Sequence, residues 1–187
     1  ITIKGSSKIA NSKSYTLYLD QVLYLVVQNS TFIGKELVKI DESNNFLIEN
    51  STFKGNFQGD NSILVKDSNN GILRSNEITN PSSNASSPDN GAILLSSSNF
   101  NLIKSNTITN SGRSGIHLKS GSINNTIDGN DVTNSYTFGL YVQGSHGNII
   151  QENTFSSSNI HGIKLSGSDN TVVDDNILSY NTKYGLY

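Results

Sequence analysis

An all-β solenoid of stacked parallel strands is the fold predicted by three observations. A Gly-apolar-x-apolar unit recurs along the chain, and an apolar-apolar-x-x-Asn-x-apolar unit keeps phase with it. No stretch as long as a short helix carries a helical apolar stripe. The composition agrees. Of 187 residues, 27 are Asn, 30 Ser and 16 Gly, while 34% are apolar and recur with a regular rhythm, which excludes disorder.

The first unit is clearest at Gly115-Ile116-His117-Leu118, Gly139-Leu140-Tyr141-Val142, Gly162-Ile163-Lys164-Leu165 and Gly185-Leu186-Tyr187, with looser copies at Leu17–Leu19, Val38–Ile40, Ile63–Val65 and Ile93–Leu95. Its middle residues are separated by 21, 25, 30, 23, 24, 23 and 23 positions. The second unit ends at Phe32, Phe53, Ile78, Ile108, Val132, Phe155 and Leu178, at intervals of 21, 25, 30, 24, 23 and 23. Each copy holds strands of about three to five residues, too short to bury a face alone. Copies must therefore stack, strand on strand, at about 4.8 Å per coil. The expectation is one domain over residues 1–187, with about seven to eight coils of 21–25 residues each. The 30-residue interval holds an inserted surface loop at 79–90, where both prolines lie.

Asn76, Asn106, Asn130, Asn153 and Asn176 share one repeat position, held by Ser30 and Ser51 in earlier coils. A file of stacked amides satisfies itself from coil to coil, so these residues are read as a structural ladder.

This paired pattern, Asn153-Thr154-Phe155 followed by Gly162-Ile163-Lys164-Leu165, resembles the right-handed parallel β-helix repeat of the pectate-lyase-like superfamily in its Asn-rich variant. A periplasmic copper-processing family that accompanies nitrous oxide reductase carries the same variant. Met and Cys are absent here and the three histidines occupy different repeat positions, so a copper role is not expected. The resemblance fixes a fold that carries lyases, epimerases, hydrolases, adhesins and phage tailspikes alike. It implies a sugar groove on the outward face of the Gly-apolar-x-apolar strands. There His117, Lys119, Tyr141 and Lys164 are the clustered set able to serve a lyase or epimerase on an acidic polysaccharide, as base and as carboxylate-neutralising cation. Asp20 and Asp41 share another outward file one coil apart. Duplication of 17–37 into 38–58 explains that pair better than glycoside hydrolysis does.

A net charge of −2 gives no basis for nucleic-acid binding, and no apolar run is long enough to span a bilayer. No metal and no cofactor are expected. Sequons at Asn29, Asn50, Asn84 and Asn124 fit a secreted, glycosylated surface protein. The opening Ile1-Thr2-Ile3 reads like Ile163–Leu165, and neither end carries a cap. Ile1, Ile3, Leu186 and Tyr187 are thus candidate interface residues for copies stacking head to tail. The leading expectation is a non-catalytic extracellular structural or adhesive module forming filaments. The alternatives are a polysaccharide lyase or epimerase, or a glycan-binding module of tail-fibre type.

Overall fold

The computed structural model describes residues 1–3, 8–56, 61–79 and 90–187, without the side chains of 8–14. Every described element is a strand, and every strand pairing is parallel, each strand inside the stack bonding its counterparts one coil before and one coil after. The result is a right-handed parallel β-helix of about seven turns.

A representative coil contains Leu102–Lys104, Thr107–Thr109 and Ser114–Lys119. First strands build an eight-stranded sheet from Thr2–Ile3 to Val172–Asp174. Second and third strands merge into one fourteen-stranded sheet. They merge because Thr31–Asp41 runs unbroken through both legs, pairing with Thr52–Gly55 early and with Ile63–Lys66 late.

The step from first to second strand is a sharp bend whose leading residue is left-handed: Asn50 (φ 49°), Ser105 (φ 51°), Glu152 (φ 57°). That conformation costs an ordinary L-residue about 1–2 kcal/mol, which favours short polar side chains there. The next residue turns inward and is the ladder Asn. Asn106 shows the full pattern. Its Nδ2 donates to Leu73 O (2.9 Å) and Asn130 Oδ1 (3.0 Å), its N–H donates to the same Oδ1 (3.0 Å), and its own Oδ1 accepts from Asn76 N (3.0 Å) and Nδ2 (2.9 Å). Two further files were not foreseen. Asn101, Asn125 and Asn148 repeat this scheme at the return to the eight-stranded sheet. Ser43, Ser68, Ser98, Ser122 and Ser145 each accept the N–H of the preceding coil.

Between these polar corners lies a single core of stacked Ile, Leu, Val and Phe. Phe32 and Phe53, fully buried, stack at 5.0 Å with an interplanar angle of 2°. Glycine at 139 lets that corner close: a Cβ there would lie 2.7 Å from Gly162 O and 2.8 Å from the Phe155 ring.

One register expectation is corrected. Thr2 and Ile3 pair with Val26 and Val27 in the eight-stranded sheet, whereas Ile163–Leu165 lie in the other sheet. The local alternation Ile-Thr-Ile matches both units, and the apolar pair Val26-Val27 decides between them. In the 79–90 segment, Thr79 completes the strand Glu77–Thr79 and Asn90 is buried, while 80–89 lie outside the described residues.

Candidate functional site

Alternation along each third strand drives one set of residues into the core and the next outward. The outward file Tyr18, Lys39, Leu64, Leu94, His117, Tyr141, Lys164 is in register, and Tyr187 follows by the pairing of Ile163 with Leu186. Beside it, Phe138, His161 and Tyr184 form another file, also in register. Sequence reading missed this second file, although its signal is plain: an aromatic ring precedes the glycine in three successive copies, Phe138-Gly139, His161-Gly162 and Tyr184-Gly185.

The two files lean together into one stack of rings. His117 lies 4.7 Å from Tyr141, which meets Phe138 at 5.2 Å; Phe138 stacks on His161 at 5.6 Å. His161 then stacks on Tyr184 (5.3 Å) and on Tyr187 (4.7 Å, 3° between planes). Lys164 Nζ stands 5.0 Å from the Phe138 ring, 5.2 Å from Tyr141 and 5.8 Å from Tyr187. Cation–ring contacts of this kind contribute about 0.5–1 kcal/mol each when exposed. Tyr184 and Tyr187 are exposed, Tyr141 and Phe138 half-buried.

The three histidines occupy different repeat positions, as the sequence reading had them: His117 is in the file of Tyr141 and His161 in that of Phe138, and the two are linked through the intervening rings of Tyr141 and Phe138. Only His146 stands away, its Nδ1 accepting the Asp169 N–H at 3.0 Å. His117 is completely buried, and His161 is 5% exposed. Burial pushes the His161 imidazole below its usual pKa, and Lys164 and Lys183 push it the same way, so it is neutral at neutral pH. Its Nδ1 has no hydrogen-bond partner among the described residues. Of the four residues singled out for catalysis, His117, Tyr141 and Lys164 share the outward file, and Lys119 sits in the neighbouring file paired with Ser96.

Another cluster occupies the same face nearer the first coils. Asp41 is bound by Lys39 (2.6 Å) and Lys66 (3.3 Å), and Tyr18 Oη donates to it at 3.5 Å. Burial opposes ionisation there, but the hydrogen bonds from Lys39 and Lys66 outweigh it and hold the carboxyl below its usual range. Asp20 lies exposed one coil away. A carboxylate locked between two lysines is a poor proton donor, which bears on the Asp20–Asp41 pair. Among the described residues, no three His, Cys, Asp or Glu side chains gather in a metal-holding group.

Asn29, Asn50 and Asn124 are exposed, while Asn84 lies outside the described residues. Ile1 is 63% exposed, and its ammonium donates to Tyr24 O at 3.0 Å. Ile3 packs partly against the core, Leu186 is exposed, and Tyr187 belongs to the ring stack.

Exposed Tyr184 and Tyr187 and half-buried Tyr141 and Phe138, with the Lys164 ammonium among them, offer apolar faces and one positive charge, which suit a ligand with flat apolar faces and an acidic group. The family model described as a right handed beta helix region matches residues 82–187. Among solved structures, the A-module of the mannuronan C-5 epimerase AlgE4 from Azotobacter vinelandii is similar at TM-score 0.76 and 15% identity, over 97% of this chain and 56% of that one. The periplasmic alginate epimerase AlgG is similar at TM-score 0.71 and 19% identity, over 92% and 47%. The Dettilon tailspike protein is similar at TM-score 0.62 and 17% identity, over 91% and 46%. The chain thus spans about half the length of these structures, and at such identities the likeness establishes the fold. No curated protein matches the sequence.

Proposed function

Because the chain belongs to the right-handed β-helix family, we propose that it is an extracellular adhesive module that binds an acidic polysaccharide along its ring-lined strand face. The carrying observation is the continuous run of ring contacts from His117 through Tyr141, Phe138 and His161 to Tyr187, stacked except for the tilted Tyr141–Phe138 step, with Lys164 beside three of its rings. A glycan chain offers apolar ring faces that stack on tyrosine, and its carboxylates pair with the ammonium. Neutral His161, buried within the run of rings, adds no second charge beside Lys164. Two of the similar structures, an alginate epimerase and a mannuronan epimerase, lend support to an acidic polysaccharide as the ligand class.

Alginate is the probe of choice, in calorimetric titration against dextran as an uncharged control. Tyr187→Ala and Lys164→Ala are each expected to weaken alginate binding about tenfold, the equivalent of about 1.4 kcal/mol. Added salt is expected to weaken it further, since the ammonium–carboxylate term is exposed and screened. Failure of the unaltered protein to bind alginate or any other acidic polysaccharide overturns the reading. The enzymatic alternative, with His117, Lys119, Tyr141 and Lys164 as the working set, requires an unsaturated or epimerised product in the same mixtures. Head-to-tail assembly requires a mass that grows with protein concentration in sedimentation.

A further inference from the structure

A recess lies around the corner from the rings, where the second strand of a coil turns into the third. It has a volume of about 340 Å³ and draws on three successive coils through Asn110, Gly112, Asn134, Tyr136, Ser157 and Asn159. Among the described residues, none that lines it is charged. Its backbone is fixed: Asn110, Asn134 and Ser157 are all left-handed (φ 54°, 56°, 56°). Their N–H groups donate to Thr133 O (3.1 Å), Ser156 O (3.2 Å) and Ser179 O (3.0 Å) of the following coil. The main chain is satisfied by stacking, and the side chains are left to face outward.

Those side chains are arranged and largely unspent. Asn134 Nδ2 approaches Asn110 Oδ1 at 3.5 Å, which aligns two amides of one file. The side-chain polar atoms of Tyr136, Ser157 and Asn159 have no hydrogen-bond partner among the described residues. Tyr136 is 54% exposed and is the one ring in the file Gly112–Tyr136–Asn159–Thr182. Gly112 contributes no side chain to that file. The recess stays open beside the tyrosine ring.

We infer that this recess is a binding site for an uncharged sugar, one or two pyranose units of a neutral glycan or of a neutral branch. Paired amides and hydroxyls match the donor and acceptor sequence of neighbouring sugar hydroxyls, and the Tyr136 ring offers a stacking surface to the apolar face of a pyranose. A carboxylated or sulfated unit would bury charge beside groups that supply no counter-charge, so the recess selects against the acidic ligand proposed for the strand face. Its volume is near the lower end of the range of about 300–1,000 Å³ typical of small-molecule sites, which limits the occupant to a short stretch of chain. The site is independent of the ring stack: Tyr136 and Phe138 are two residues apart but serve different surfaces.

The test is saturation-transfer-difference NMR followed by calorimetry, using malto-, cello-, manno- and galacto-oligosaccharides as neutral probes and alginate oligosaccharide as the acidic one. At least one neutral probe is expected to bind. Tyr136→Ala and Asn134→Leu, both at exposed turn positions, are each expected to weaken that binding tenfold or more and to leave alginate binding unchanged. The strand-face variant Lys164→Ala is expected to do the reverse. Absence of binding by every neutral probe overturns the inference, as does neutral binding that both recess variants leave intact. Loss of alginate binding alone bears on the strand face and leaves the recess standing.

Discussion

His161 is held between rings on both sides, in a position where the adjoining coils place Phe138 and Tyr184. Its imidazole substitutes for a third carbocycle, and it does so only while neutral. The folded protein lowers its pKa through burial, then through Lys164 and Lys183. In the unfolded chain it returns to about 6.5. Between those two values the unfolded state carries the extra proton, so stability rises with pH across that window and is lost as pH falls below the ordinary histidine range. Thermal unfolding followed across this range is expected to show that loss in the native sequence. It is expected to be flattened in His161→Phe, whose ring cannot ionise. An identical pH dependence in both proteins would dissociate the ring stack from protonation. At the same scale, Asp41 illustrates why side-chain chemistry was the least legible part of the sequence. Spacing places Lys66 next to it in the same file and Lys39 in the adjacent outward file, but spacing does not show that both ammonium groups turn onto the one carboxylate.

Short strands in this molecule owe their order to the polar files at the corners as much as to the apolar core. Asn130 is buried and makes bonds in three directions: to Ile103 O at 2.9 Å, to Asn153 Oδ1 at 2.9 Å, and from the Asn106 N–H at 3.0 Å. Replacing it by alanine orphans several buried groups at once. Each such group costs about 1–3 kcal/mol, so Asn130→Ala is expected to destabilise by about 3 kcal/mol in urea titration. Asn176→Ala, at a more exposed rung, is expected to cost less than half of that. Equal effects at the two rungs would mean that burial of the amide does not set its contribution. This ladder was legible because Asn recurs at one spacing with little variation. The serine file was harder to see. Serine is the commonest residue of the chain, so Ser43, Ser68, Ser98, Ser122 and Ser145 do not stand out from their neighbours. Phe138, His161 and Tyr184 escaped notice for another reason: they share a structural role without sharing a residue type.

Contacts in the whole molecule run between consecutive coils, as expected of a solenoid whose stability sums over nearest-neighbour interfaces. Perturbation should therefore stay local. Hydrogen exchange on Asn130→Ala is expected to lose protection in Leu102–Lys104 and Ile149–Gln151, which flank the altered coil. Protection in Val26–Gln28, several coils away, is expected to stay at its original level. Uniform loss across all strands would instead indicate a single all-or-none unit.

The sameness of the junctions has one more consequence. From Asn76 onward, each coil meets the next through the same files of amides, hydroxyls and aliphatic side chains, so the interior there does not register how many coils separate two points on the surface. The Asp41–Lys66 cluster and the rings around Lys164 therefore stand a whole number of coils apart, in steps of about 4.8 Å. Inserting or deleting one coil between them would change that separation by a single increment and leave both clusters chemically intact. The spacing of two surface features, which in most folds is tied to core packing, is here an independent and discretely adjustable quantity.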